Sequence, residues 1–216
     1  MSRQARMHSV AALLGTIGLF WASICPGAAD HAPQAPDAIV RTATEQVLDA
    51  LRSHSEDIAN DPSYLPSLMR KTIVPLFDTR SMARAALGRY WREASADQRS
   101  RFTEAFERVL IEDYATVFRN YSNQSVEVLR VLPGPNANEA AVPTYVVTPG
   151  EQRVRVDYLL RRVGSEWRID DVTIEGVSLL LTYRNSFFEQ LQHETLAQLT
   201  ANMNRKTDAS GRREGE

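Results

Sequence analysis

The stretch from Arg153 to Gln192, RVRVDYLLRRVGSEWRIDDVTIEGVSLLLTYRNSFFEQLQ, constrains the fold more than any other part of the chain. Val154, Val156, Tyr158 and Leu160 alternate with Arg153, Arg155, Asp157 and Arg161. That period of two gives a half-buried antiparallel strand with one apolar and one wet face. Trp167 and Ile169 open a second strand in the same way, but its apolar phase jumps to Val172 and Ile174 across Asp170-Asp171. A phase slip inside one strand predicts a bulge or sharp bend. Gly176-Val177-Ser178 then leads into a long helix, with Ser178 as its N-cap, on which Leu180, Tyr183, Phe187 and Leu191 form a stripe widened by Phe188, Leu199 and Met203. A bent sheet beside an apolar helix makes a cup. Side chains can close such a cup into an ordinary core or leave it open to an apolar ligand, and the same residue types serve both outcomes.

The beginning of the chain has the layout of a secretory signal, expected over residues 1–29. Arg3 and Arg6 precede an apolar run from Val10 to Ile24, and Gly27-Ala28-Ala29 offers small residues for cleavage before Asp30. The run is short for a membrane span. Ala22-Ser23-Ile24-Cys25 resembles a lipoprotein box, which would make Cys25 a lipid anchor, but Ile24 is bulky where such a box needs a small residue. Cleavage after Ala29 removes the sole cysteine, so the mature chain forms no internal disulfide, and export without cysteines fits a bacterial periplasm. Cleavage also leaves 23 basic residues against 27 acidic ones, a net charge of −4. Such a chain has no electrostatic footprint for nucleic acid or for anionic lipid, so any dealing with a membrane must go through a pocket or a partner. The remaining length of about 187 residues suffices for one domain with a sizeable core, expected over residues 30–204.

After a leader from His31 to Pro36, the first half reads as helical. Ile39, Ala43, Val47 and Leu51 mark a helix from about Asp37 to His54. Pro62, Pro66 and Pro75 punctuate shorter pieces, and Asp78 caps a helix that Gly88 ends. Ser95-Ala96-Asp97-Gln98 has capping-box spacing and starts a helix reaching about Tyr121. Its stripe of Phe102, Phe106, Val109, Leu110, Tyr114, Val117, Phe118 and Tyr121 is expected to lie against the sheet. That sheet opens with a strand from Ser125 to Leu132, a turn through Pro133-Gly134-Pro135-Asn136 and a return strand from Glu139 to Thr148. Pro143 lacks an N–H and is expected at an edge or a bulge. With the two strands above, this makes a four-stranded antiparallel meander and an α+β fold. The polar, aperiodic segment 205–216 is expected to be disordered.

Catalytic motifs are incomplete. His193-Glu194-Thr195-Leu196-Ala197 begins like a zinc-protease helix, but Ala197 stands where the second histidine must coordinate, leaving a solvated helix face. Gly176-Val177-Ser178-Leu179-Leu180 begins like a serine-hydrolase elbow, yet Leu180 replaces the required glycine. Neither His31 nor His54 has a ligand partner at metal spacing. No catalytic residue, metal or cofactor is assigned. An alternative is an exported cone-fold enzyme, similar to ketosteroid isomerase, using Asp157 or Asp170 with a tyrosine hydroxyl, which would require a carboxylate facing the cavity.

Several segments, in order, resemble those of a known family. They are Tyr64-Leu65, Val74-Pro75-Leu76-Phe77-Asp78, Leu87-Gly88-Arg89-Tyr90-Trp91, Ser95-Ala96-Asp97-Gln98-Arg99 with Phe102 and Ala105-Phe106, and Val156-Asp157-Tyr158. The resemblance, which also takes in Trp167-Arg168-Ile169-Asp170-Asp171-Val172 and Ile174-Glu175-Gly176-Val177-Ser178 through Tyr183-Arg184 and spans about Asp37 to Leu199, is to the MlaC or toluene-tolerance family of periplasmic phospholipid-binding proteins. It departs at Gln192-His193-Glu194-Thr195, where similar proteins often carry a glycine-containing loop.

The resemblance implies a cone related to nuclear transport factor 2, with helices over a bent sheet and an apolar cavity holding the acyl chains of a glycerophospholipid. It implies a monomeric carrier between an outer-membrane lipoprotein and porin complex and an inner-membrane ABC transporter with its substrate-binding ring, maintaining outer-membrane lipid asymmetry. On this reading the cavity wall is Phe106, Leu110, Tyr114, Val146, Val156, Tyr158, Ile169, Val172, Ile174, Val177, Leu180 and Tyr183, for each of which plain core packing is the competing role. Tyr90, Tyr145 and Arg155 are expected at the headgroup rim.

Overall fold

The computed structural model describes residues 34–61, 63–119 and 123–213. The expected signal segment, Cys25, Pro62 and Tyr121 lie outside the described residues. Helix α1 spans Pro36–Ser53, with a proline in its first turn where the missing N–H costs nothing. Two shorter helices, α2 (Ser55–Asn60) and α3 (Tyr64–Thr72), and a 3-10 turn at Val74–Leu76 follow. Asp78 caps α4 (Thr79–Leu87), its carboxylate accepting from the Ser81 N–H at 3.0 Å, and Gly88 ends it at φ 55°, a left-handed conformation that glycine adopts without strain. After α5 (Arg89–Glu93) comes α6 (Ala96–Arg119), and its capping box is formed: Gln98 N–H donates to Ser95 Oγ at 3.2 Å, while Ser95 N–H donates to Gln98 Oε1 at 2.8 Å.

The sheet is open and antiparallel. Its long strands are β3 (Glu139–Val147), β4 (Arg153–Val163) and β5 (Glu166–Ile174), flanked by β1 (Ser125–Val128) and two-residue strands β2 (Leu132–Pro133) and β6 (Val177–Ser178). The order is β1-β3-β4-β5-β6, with β2 also on β3. The expected first strand is therefore broken into β1 and β2, and Pro143 explains the break. Pro143 lies in an internal strand, not at an edge, and its carbonyl accepts from the Leu129 N–H at 2.9 Å. Both backbone groups of a strand residue point to the same neighbour, so the missing donor faces Leu129, where the ladder lapses until Leu132 pairs with Ala141.

The bulge falls where the phase slip puts it. Leu159 pairs with Asp171 but Leu160 pairs with Ile169, which leaves Asp170 as the extra residue. Glu175 and Gly176, at φ 48° and 82°, close a two-residue hairpin turn between β5 and β6, the geometry that needs two left-handed residues.

Three expectations are corrected. The C-terminal helix is two helices, α7 (Leu179–Gln190) and α8 (Leu196–Arg213), because Thr195 and Gln198 form a second capping box: Gln198 N–H donates to Thr195 Oγ1 at 3.3 Å and Thr195 N–H to Gln198 Oε1 at 2.8 Å. His193-Glu194-Thr195 thus lies in the turn before α8 rather than on a helix face. Residues 205–213, expected to be disordered, continue α8. Thr207 is buried there and Lys206 pairs with Asp113 of α6 at 2.9 Å, contacts that aperiodic sequence does not announce. Finally, α6 packs on α8, α3 and α4, and its principal partner is not the sheet. Its Phe102 and Phe106, both fully buried, join Phe187 of α7 and Leu199 and Met203 of α8 in one cluster. A second cluster joins Ile39 and Val40 of α1 to the inner face of the sheet, and a third joins α1, α3 and α6.

A cavity between sheet and helices

Where α6 faces the sheet, a cavity of about 330 Å³ separates them. The alternation of β3 and β4 sets its floor. In register, Val146 opposes Val154, Thr144 opposes Val156 and Val142 opposes Tyr158, so these side chains share the inner face, while Tyr145, Arg155 and Asp157 share the outer one. Val126, Val146, Val156, Tyr158, Ile169, Val172 and Ile174 line the floor, and Leu110, Ile111, Tyr114 and Phe118 of α6 face them. One side is closed by Val40, Ala43, Val47, Leu48 and Leu51 of α1, and another by Met69, Ile73, Val74, Leu76 and Phe77. A volume of this size belongs with ligand pockets, not with the sub-water voids of ordinary cores.

The helices beside this space are fastened to β5 at its bulge. Phe77 forms a parallel bridge with Ile169, and the Asp78 N–H donates to the Ile169 carbonyl at 2.9 Å, so the start of α4 is stitched to β5 beside the bulge. Arg161 locks the junction, donating from Nη2 to Asp78 at 3.0 Å and to Asp170 at 3.2 Å, and its own pKa is raised chiefly by the hydrogen bond to Asp170. On the next residue, the Asp171 carboxylate accepts from the N–H groups of Val172 at 2.8 Å and Leu180 at 3.1 Å, fastening the start of α7 to β5. Ser178 is the N-cap of α7, its Oγ accepting from the Leu181 N–H at 3.0 Å. The Asp170-Asp171 pair is therefore structural. Asp157 is likewise occupied, accepting from Arg155 Nε at 3.0 Å on the outer face. Neither Asp157 nor Asp170, the two carboxylates named for the isomerase alternative, lines the cavity.

Polar groups in the wall are few: Thr44, Thr79, Glu107, Tyr114, Gln124 and Tyr158. Glu107 lies 3.7 Å from Arg70. Burial pushes the phenol pKa of Tyr158 up, and that of Tyr114 up too, with the carboxylates of Asp113 and Asp171 adding to the latter. No group of three or more metal-ligating side chains occurs among the described residues, and none of their helices is long and apolar enough to cross a membrane.

Of the twelve expected wall residues, Leu110, Tyr114, Val146, Val156, Tyr158, Ile169, Val172 and Ile174 line the cavity. Phe106, Leu180 and Tyr183 do not. Phe106 sits in the helical cluster, against which Leu180 and Tyr183 pack, and the Tyr183 hydroxyl donates to Asp113 at 2.9 Å. Val177 is 60% exposed on β6. The expected rim also lies elsewhere: Tyr145 and Arg155 are on the outer sheet face, and Tyr90 packs beside Phe188 with Arg89 over its ring at 4.8 Å. The wall contributed by α1 and α3 is absent from the expected set. Its signal was the stripe Ala43, Val47, Leu51, which marks an inward face without saying that the face meets a void.

A family model described as MlaC protein matches residues 41–205. The toluene tolerance protein ttg2D of Pseudomonas putida is 25% identical over 162 residues, covering 74% of this chain and 75% of that protein. The intermembrane phospholipid transport system binding protein MlaC of Haemophilus influenzae is 24% identical over 152 residues, covering 69% and 71%. Among solved structures, a phospholipid-binding protein from Ralstonia solanacearum, in complex with a phospholipid, superposes with a TM-score of 0.75 at 23% identity, covering 82% of this chain and 99% of that one.

Proposed function

The chain belongs to the MlaC family, and on that premise we propose that it carries a glycerophospholipid through the periplasm of a Gram-negative bacterium, its acyl chains in the cavity. The observation that carries this reading is the apolar void of about 330 Å³ between floor and helices. Two acyl chains hold about 30 methylenes, whose exposure to water costs roughly 24 kcal/mol at ~0.8 kcal/mol each. Unaided crossing of an aqueous compartment is negligible at that cost, whereas a wall of valine, leucine and isoleucine replaces the lost contacts. The charged headgroup stays at the mouth, because burial would strip its hydration without compensation.

The names of the relatives support transport between membranes. The donor and acceptor in this reading are an outer-membrane lipoprotein and porin complex and an inner-membrane ABC transporter with its substrate-binding ring, and the outcome is maintained outer-membrane lipid asymmetry. The carrier works as a monomer, exported by its N-terminal signal and soluble once that is removed. Vesicle exchange tests the reading: donor vesicles holding a fluorescent phospholipid are mixed with unlabelled acceptors. Transfer proportional to added protein is the expected result, and a rate unchanged by the protein would refute carriage.

A further inference from the structure

Tyr158 stands in the cavity floor with a hydroxyl that has no hydrogen-bond partner among the described residues. Three other tyrosines of the chain are engaged, Tyr64 with His54 at 2.8 Å, Tyr90 with the Leu191 carbonyl at 3.5 Å and Tyr183 with Asp113 at 2.9 Å, while Tyr114 faces the same cavity from α6. The strand neighbours of Tyr158 are Val142 and Val172, so the sheet offers it no acceptor. Burial alone acts on its pKa, which is raised, so the phenol is a protonated donor at neutral pH. The hydroxyl opens on the cavity, so an occupant that fills the space buries it, and a buried donor left without an acceptor is costly. An occupant made only of hydrocarbon would leave it so.

We infer that the Tyr158 hydroxyl donates to an acyl carbonyl oxygen of the bound lipid, so that the cavity reads the oxygen at the head of a fatty chain as well as its hydrocarbon. This rests on the carrier reading above and adds a selectivity to it. The wall accepts any apolar chain of suitable width, whereas the hydroxyl favours chains that bring a carbonyl. An ester and a free carboxylate share that chemistry.

The test is a loading competition. Delipidated protein is equilibrated with vesicles holding equal amounts of a diester phosphatidylcholine and its diether analogue of the same chain length, which lacks the carbonyls, and bound lipid is quantified by mass spectrometry. Wild-type protein is expected to enrich the diester about five- to tenfold, the factor one buried hydrogen bond supplies. Tyr158→Phe, which keeps the ring, is expected to bring the ratio near one. A second arm adds palmitate, and its preferential loading would assign the carbonyl to a free carboxylate rather than an ester. Equal loading of diester and diether by wild type, or enrichment undiminished in Tyr158→Phe, would overturn the inference while leaving carriage intact. Failure of wild type to load either lipid would overturn carriage itself and the inference with it. The wild-type ratio decides the matter even if the variant does not fold.

Discussion

Arg161 ties the β4–β5 hairpin to a helix 83 residues away, since its guanidinium meets the bulge of β5 and the cap of α4 from a position on β4. Arg161→Leu removes both pairs at a site about one third exposed, so after solvent screening the loss is about 1–2 kcal/mol, measurable as a lower urea midpoint at unchanged slope. A second residue-scale expectation concerns alkali. The phenols of Tyr114, Tyr158 and Tyr183 are raised in the fold, chiefly by burial, above their ordinary value near 10. Below that value both states are protonated and stability is at its full level. Above it the unfolded chain loses protons first, so stability falls as pH climbs past about 10. Urea midpoints from pH 8 to 11 check this, and Tyr158→Phe is expected to make the fall shallower. At this scale the sequence told which face a strand residue takes: alternation assigned Val156 and Tyr158 inward. It placed Phe106 and Tyr183 in the wall because aromatic type and helical spacing are the same for a residue facing protein and one facing empty space.

The elements that were legible are those fixed by neighbours within a few residues. Ser95 with Gln98, Asp78 with Ser81 and the phase slip at Asp170 each leave a local mark, and each is found in place. Ser95→Ala is expected to cost about 1 kcal/mol, read as a lower thermal midpoint, because α6 loses half of its capping box. What escaped was decided across the fold. The partner of α6 is chiefly α8, and α8 extends through residues 205–213 because Thr207 is buried and Lys206 reaches Asp113. Polar sequence without period gives no hint of either contact. Deleting residues 205–216 is therefore expected to lower the urea midpoint. An unchanged midpoint would show that the last turns of α8 add nothing to the fold.

At the scale of the molecule, the helices pack on the sheet through Ile39 and Val40 of α1 and the starts of α4 and α7, and stand off it where the cavity lies. The sheet bends at its bulge, α4 and α7 are fastened to β5 on either side of it, and α1 and α6 roof the remaining space. An empty cavity forfeits dispersion contacts, so filling it with protein and filling it with ligand compete. Leu110→Trp, projecting from α6, is expected to leave the lipid-free protein at least as stable while sharply reducing the lipid it holds. The most direct measurement is native mass spectrometry of the full-length protein, purified without detergent from a lipid-replete Gram-negative host, with solvent extraction to identify what is released. The account predicts a mass increment equal to bound phospholipid that disappears on delipidation and returns on incubation with vesicles. A protein reproducibly at its bare polypeptide mass, before and after exposure to vesicles, would contradict it.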